Sequence, residues 1–166
     1  RRPRNAVAAH VKDAALRGIN RSAPVTCNKP SGNSSQLLDV ASGIHTRWAP
    51  YYLRRTRVAS STPLYRVLRD AGVPLTPENG QTVANANTWV VAWPVKSPEG
   101  AVTRKDRTAV EQCDYWLMCK ENWTEHNPSV TITYQPDELL AVTDWVWRHR
   151  DIVGGMTFLP ADNAQH

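Results

Sequence analysis

Between residues 104 and 125 the apolar positions Ala109, Cys113, Trp116, Cys119 and Trp123 recur at steps of three and four. That spacing predicts an amphipathic helix, which must bury one face against something else. The segments C-terminal to it limit the partner. Residues 129–134 alternate as a strand does, Pro136-Asp137 opens another helix with Leu139, Val142 and Val146 on one side, and residues 154–159 close as a strand ending at Pro160. Strand and helix alternate, the pattern of an α/β sheet or barrel.

The earlier part of the chain is shorter in its elements. Residues 5–17 place Val7, Val11, Ala14 and Ala15 on one helical face, with Gly18 where a left-handed cap is expected. An extended run, Pro24-Val25-Thr26-Cys27, leads to a turn at residues 28–33 and a short helix over 34–40, closed by Ser42-Gly43. Residues 48–58 are aromatic and arginine-rich, residues 63–71 read as a helix on Leu64, Val67 and Leu68, and residues 89–95 as a strand.

A chain of 166 residues, 41% hydrophobic and 21% charged, can bury one ordinary core. It is expected to be one domain or a piece of a larger one. There is no initiator Met, and Arg1-Arg2-Pro3-Arg4 carries no capping motif, so a fragment of a longer polypeptide is expected. The longest apolar runs, such as 88–93, are too short to cross a bilayer, and no secretory leader opens the sequence. Three cysteines make an odd count, and Cys113 and Cys119 fall on different turns of one helix, which hinders a disulfide; a reducing, cytoplasmic setting is expected. Cys113, Cys119 and His126 match no zinc spacing, so no metal is expected. The net charge of +5 and pI near 9.4 suit a phosphate-bearing partner, without choosing between nucleotide and nucleic acid.

One segment carries a chemical signal. A Gly/Ser turn between an extended run and a helix presents backbone N–H groups at a helix start, where they favour an anion. Ser31, Gly32, Asn33, Ser34 and Ser35 fit that description, with Lys29 beside them. An ordinary turn, with Ser34 or Ser35 capping its helix, is the structural alternative. No nucleophile and base are marked out, since His10, His45, His126, His149 and His166 are scattered. Trp116, Trp123, Trp145 and Trp147 are expected in the core rather than as a stacking platform for bases.

The stretch Thr26-Cys27-Asn28-Lys29-Pro30-Ser31-Gly32-Asn33-Ser34-Ser35-Gln36-Leu37, followed by Ser42-Gly43-Ile44-His45, resembles segments of the adenosylcobalamin-dependent (class II) ribonucleotide reductases. Tyr51-Tyr52-Leu53-Arg54-Arg55, Pro94-Val95-Lys96-Ser97-Pro98-Glu99-Gly100-Ala101, the run from Glu121-Asn122-Trp123 through Val130-Thr131-Ile132, and Phe158-Leu159-Pro160 resemble that family in the same order. Departures include Asn33 where the family commonly has Thr, Thr46 and Trp48 for Pro and Tyr, and Trp93 for Phe.

The resemblance implies that residues 1–166 are a C-terminal portion of the catalytic domain, part of the ten-stranded α/β barrel of ribonucleotide reductases. It implies that Ser31, Gly32, Asn33, Ser34 and Ser35 hold the substrate phosphates. The complete enzyme would reduce ribonucleoside di- or triphosphates to deoxyribonucleotides by thiyl-radical chemistry begun by adenosylcobalamin. Its partners would be the ribonucleotide, the remainder of the reductase chain and a thioredoxin-like or dithiol reductant. The radical-cysteine motif lies outside this chain, Cys27 belongs to a different motif, and no catalytic residue is expected here; the segment alone should be inactive. Thr157 and Phe158 stand where iron-dependent class I enzymes carry a tyrosine pair, so no tyrosyl relay is expected through this strand. Two other readings stay open: a non-catalytic nucleotide- or phosphate-binding remnant, and a basic nucleic-acid-binding module.

Overall fold

The structure is a computed structural model and describes residues 4–161. The chain forms two compact units. One is built from residues up to Trp48 and from Gly100 onward, the other from Ala49–Glu99.

In the first unit the predicted long helix is α4 (Ala109–Asn122). It starts five residues later than the periodicity suggested, because residues 102–104 are held extended: Arg47 N–H donates to Val102 O and Arg104 N–H to Arg47 O. A turn then follows in which Thr103 N–H and Oγ1 both donate to the Asp106 carboxylate. Thr108 caps α4 in a reciprocal box with Glu111. Ala109, Cys113, Trp116 and Cys119 are buried against Val130 and Ile132 and against Val142 and Trp145 of α5 (Leu139–Arg148). Trp116 meets Trp145 edge to face, with ring centroids 6.5 Å apart. The strands β4 (Thr131–Tyr134) and β5 (Thr157–Pro160) pair in parallel and are joined through a short 3-10 turn and α5. The buried Gln112 side chain extends this pairing sideways, accepting from Thr133 N–H and donating to Thr133 O.

Trp123 and Trp147 were expected in the core, yet they are 46% and 68% exposed. Trp123 lies beyond the last turn of α4, at its C-cap, and Trp147 is two residues from Trp145 on α5, a rotation of about 200° that turns it to the other side. Likewise α1 (Arg4–Arg17) forms as predicted and ends at Gly18 with φ +64, but Ala14 is buried while Val11 and Ala15 are exposed.

The second unit departs from simple strand-helix alternation with parallel pairing. Its strands β1 (Tyr51–Ala59), β2 (Leu75–Pro77) and β3 (Thr88–Lys96) form one antiparallel sheet in the order β1-β3-β2. β1 and β2 are linked by α3 (Pro63–Asp70), and β3 inserts between them, pairing with nine residues of β1 from Tyr51↔Lys96 to Ala59↔Thr88. This is a split βαβ arrangement. α3 is capped by Thr62 and packs Leu68 on Val58 and Val91. Sequence reading missed β2, whose three residues end at a proline. The architecture is mixed α/β; no closed barrel is formed among the described residues.

Burial, with Asp114 adjacent, pushes the Cys113 thiol up from 9.0 to about 12. The folded chain therefore keeps a proton that the unfolded chain releases. Stability from this group is fully present below pH 9.0 and is lost as pH rises toward about 12, with a slope of at most about 1.4 kcal/mol per pH unit. Urea unfolding at stepped alkaline pH should show this decline, and Cys113→Ala should make it shallower.

Candidate phosphate-binding turn

The extended segment that enters the turn forms no regular strand. It is held instead by the loop after α4: Glu125 N–H and His126 N–H donate to Thr26 O at 3.1 and 3.2 Å, and Thr26 Oγ1 donates to Trp123 O at 2.6 Å. The helix that leaves the turn is a single one, α2 (Ser34–Leu37), shorter than the 34–40 expected. It stops because Asp39 adopts φ +50, and the Asp39 carboxylate takes a 2.8 Å ion pair from the buried Arg47 guanidinium.

Within the turn the five serine, glycine and asparagine residues divide into two groups. Gly32, Asn33 and Ser34 are exposed, Ser31 is half-buried and Ser35 is 4% exposed. The alternative reading had Ser34 or Ser35 cap the helix, but Ser31 does so: its Oγ accepts Ser35 N–H at 2.7 Å and Ser34 Oγ–H at 2.9 Å. The Ser35 hydroxyl donates back to Ser31 O at 2.8 Å. Asn33 makes no side-chain cap bond, while its carbonyl accepts from Gln36 and Leu37 N–H. The backbone N–H groups of Asn33 and Ser34 meet no acceptor among the described residues. A Cβ at Gly32 would meet nothing within 4 Å, so the outer side of the turn is open. An anion placed there would find backbone donors and an exposed hydroxyl.

The residues that shape the turn include four, Ser42 to His45, that sequence reading did not assign to the site. Ser42 Oγ accepts Ser31 N–H at 2.8 Å and donates to Ser31 O at 2.9 Å. Gly43, at φ +61, lies so close to the Lys29–Pro30 peptide that a Cβ would stand 3.1 Å from Lys29 O and from Pro30 N. Ile44 enters the core next to them, and His45 Nδ1 lies 2.9 Å from Ser42 O. Thus the two short segments 26–37 and 42–45, separate in the sequence, are one structural piece. The signal for Ser42 was its place beside Gly43 in the second segment; for Asp39 and Arg47 the sequence held none.

A second concavity, about 490 Å³, lies at the start of α4 beside the carboxyl ends of β4 and β5 and is lined by Arg104, Lys105, Arg107, Glu111, Tyr134 and Glu138 among others. Its three carboxylates are committed to local donors: Asp106 to Thr103, Glu111 to Thr108, and Glu138 to the N–H groups of Ala109 and Gln135. Arg104 and Arg107 are stacked on Trp48 and Tyr115, at 3.5 and 4.5 Å from the ring centroids. The positive and negative side chains lining it balance, which gives no preference for an anion. Cys27, Cys113 and Cys119 are free thiols, and Cys113 and Cys119 are buried in α4. No group of three or more His, Cys, Asp or Glu side chains converges among the described residues; His166 and residues 1–3 lie outside them.

No family model matches the chain. In fold, the chain superposes on the crystal structure of a B12-dependent (class II) ribonucleotide reductase with a TM-score of 0.76 and 24% identity, over 96% of this chain and 22% of that one. In sequence it is 32% identical over 143 residues to the adenosylcobalamin-dependent ribonucleoside-triphosphate reductase of Euglena gracilis, covering 86% of this chain. It is 28% identical over 151 residues to the protein so named from Levilactobacillus brevis, covering 89% of this chain. Over most of its length the chain is thus similar to adenosylcobalamin-dependent, class II ribonucleotide reductases. It spans about a fifth of the length of the curated relatives it matches.

Because Gly43 is both left-handed and sterically closed, Gly43→Ala should destabilise the first unit by at least about 1–2 kcal/mol. Gly18→Ala carries a similar φ in open space. The difference in unfolding free energy between the two variants measures the contact of Gly43 with the Lys29–Pro30 peptide.

Proposed function

We propose that this chain is the substrate-phosphate segment of a class II ribonucleotide reductase, forming a C-terminal part of its ten-stranded catalytic barrel. The complete protein would convert ribonucleotides to deoxyribonucleotides with adenosylcobalamin, using a dithiol or thioredoxin-like reductant. The observation that carries the reading is the open turn at residues 31–35, in a chain that matches cobalamin-dependent reductases over most of its length. An anion there would accept from the Asn33 and Ser34 N–H groups, with Lys29 close in sequence to add positive charge. Asn33, in place of the family's usual Thr, keeps a donor in its side-chain amide.

The contribution of such a segment is orientation. Fixing the phosphates fixes the ribose to which they are attached, and orientation of this kind lowers a barrier by up to roughly 7–11 kcal/mol in the best cases. Cobalamin supplies the initiating radical when bound to the complete protein. No residue of this chain is assigned to holding it. The buried thiols on α4 face the core around Trp116 rather than the open turn, so they take no part as reductants. Thr157 and Phe158 on β5 cannot form tyrosyl radicals, which suits a radical made beside the substrate rather than delivered from a second subunit.

Gly32→Val tests the turn. Its Cβ would meet no protein atom within 4 Å and its backbone is outside the left-handed region, so the fold should be retained. The side chain would stand where an anion approaches the N–H groups. In the complete reductase, nucleotide affinity measured by equilibrium binding should fall about tenfold or more, the loss of one charge-assisted bond. Unchanged affinity would remove the turn from the substrate site. The purified 166-residue chain, supplied with adenosylcobalamin and a dithiol, should show no ribonucleotide turnover.

A further inference from the structure

We propose that Ser42 is a positioning residue for the phosphate turn, acting through Ser31 to leave one hydroxyl proton of a four-serine cluster directed to the bound phosphate. The inference rests on the reading of residues 31–35 as a phosphate site.

The donors and acceptors of Ser31, Ser34, Ser35 and Ser42 can be traced one by one. Ser42 and Ser35 each give their hydroxyl proton to Ser31 O, at 2.9 and 2.8 Å. Ser42 Oγ accepts Ser31 N–H at 2.8 Å, so both backbone groups of Ser31 are fixed by one side chain from eleven residues away. Ser31 Oγ is then held where it accepts Ser35 N–H at 2.7 Å and pairs with Ser34 Oγ at 2.9 Å. Each hydroxyl has one proton. Those of Ser42 and Ser35 are spent on Ser31 O, and a third is spent within the Ser31–Ser34 pair. Whichever way that pair is oriented, the fourth proton has no acceptor among the described residues. With Ser34 donating to Ser31, that proton belongs to the half-buried Ser31; with the pair reversed it belongs to the exposed Ser34, and Gly32 and Asn33 between them in the chain are exposed.

This arrangement supplies a donor polarised by the bonds its oxygen accepts, which strengthens it toward an anion. Ser42 never touches the ligand. Gly43 and Ile44 hold Ser42 in place from the other side, the first by close contact with the Lys29–Pro30 peptide and the second by burial in the core.

The test is made in the complete reductase with the ribonucleotide and, in parallel, the nucleoside that lacks its phosphates. Ser42→Ala should weaken nucleotide binding about tenfold and leave nucleoside binding unchanged, because only the phosphate loses an oriented donor. Ser42→Thr, which keeps the hydroxyl, should restore most of the nucleotide affinity. If Ser42→Ala does not fold, Ser31→Ala decides, since it removes the relay oxygen while leaving the backbone groups that Ser42 holds; it should show the same phosphate-dependent loss. Equal losses for nucleotide and nucleoside, or no loss, would reduce Ser42 to a structural staple and overturn the proposal. Gly32→Val separates the two levels: if it weakens nucleotide binding and the serine variants do not, the relay fails and the phosphate site stands, whereas if it too is without effect, the site itself fails.

Discussion

The position of the turn in the first unit depends on Trp116. Its ring is fully buried between α4, β4 and α5, and its indole N–H donates to Pro128 O at 3.0 Å. That bond ties the loop after α4 to the hydrophobic core. The same loop is fastened by Lys120, whose ammonium donates to the carbonyls of Glu125 and His126, and by Asn127, whose amide donates to Gly155 O at 2.8 Å. A Cβ at Gly154 would lie 2.5 Å from Asn127 Oδ1, so a larger residue there would displace the Asn127 side chain. The loop in turn carries the hydrogen bonds to Thr26 that set the direction of the chain into the turn. A buried indole is thus linked to an exposed turn through a sequence of polar contacts that begins in apolar packing.

This organisation separates stability from ligand contact. The groups that fix the turn are buried or half-buried: Thr26, Ser35, Arg47 and Ser42. The residues proposed to meet a ligand, Gly32, Asn33 and Ser34, are exposed. A binding surface needs donors that are uncommitted in the free protein yet already in place, since ordering them on binding would cost affinity. In the proposed site, the serine cluster would meet both needs, since all but one of its four hydroxyl protons are spent within it.

The long-period elements were legible because their patterns come from burial of a single face. The spacing of Cys113, Trp116 and Cys119 can be satisfied only by a helix packed on one side, and that is how α4 is found. β4 and α5 likewise bury one side, through Ile132 and through Val142 and Trp145, whereas of the residues that marked α3 only Leu68 is buried and Leu64 and Val67 are exposed. The ends were less legible. α4 starts at Ala109 because Arg47 and Asp106 hold the preceding residues in another conformation, and Arg47 is more than fifty residues earlier in the chain. Pairing was not readable either, since the period of a strand says which face is buried but not which neighbour lies beside it. The insertion of β3 between β1 and β2 is a choice among strands that local sequence does not make.

The sequence by itself determined that a Gly/Ser turn follows an extended run at residues 31–35, and the order of its segments marked the reductase family. It determined this because turn chemistry is local: small residues permit the backbone path wherever it is found. Which of those residues cap the helix, which are spent on one another and which remain for a ligand was decided only by tertiary structure. Ser42 reaches Ser31, Arg47 reaches Asp39 and Trp123 reaches Thr26 across eleven, eight and ninety-seven residues. Hydrogen-bond partners at that separation are set by how the core closes, and no pattern within a local window records them.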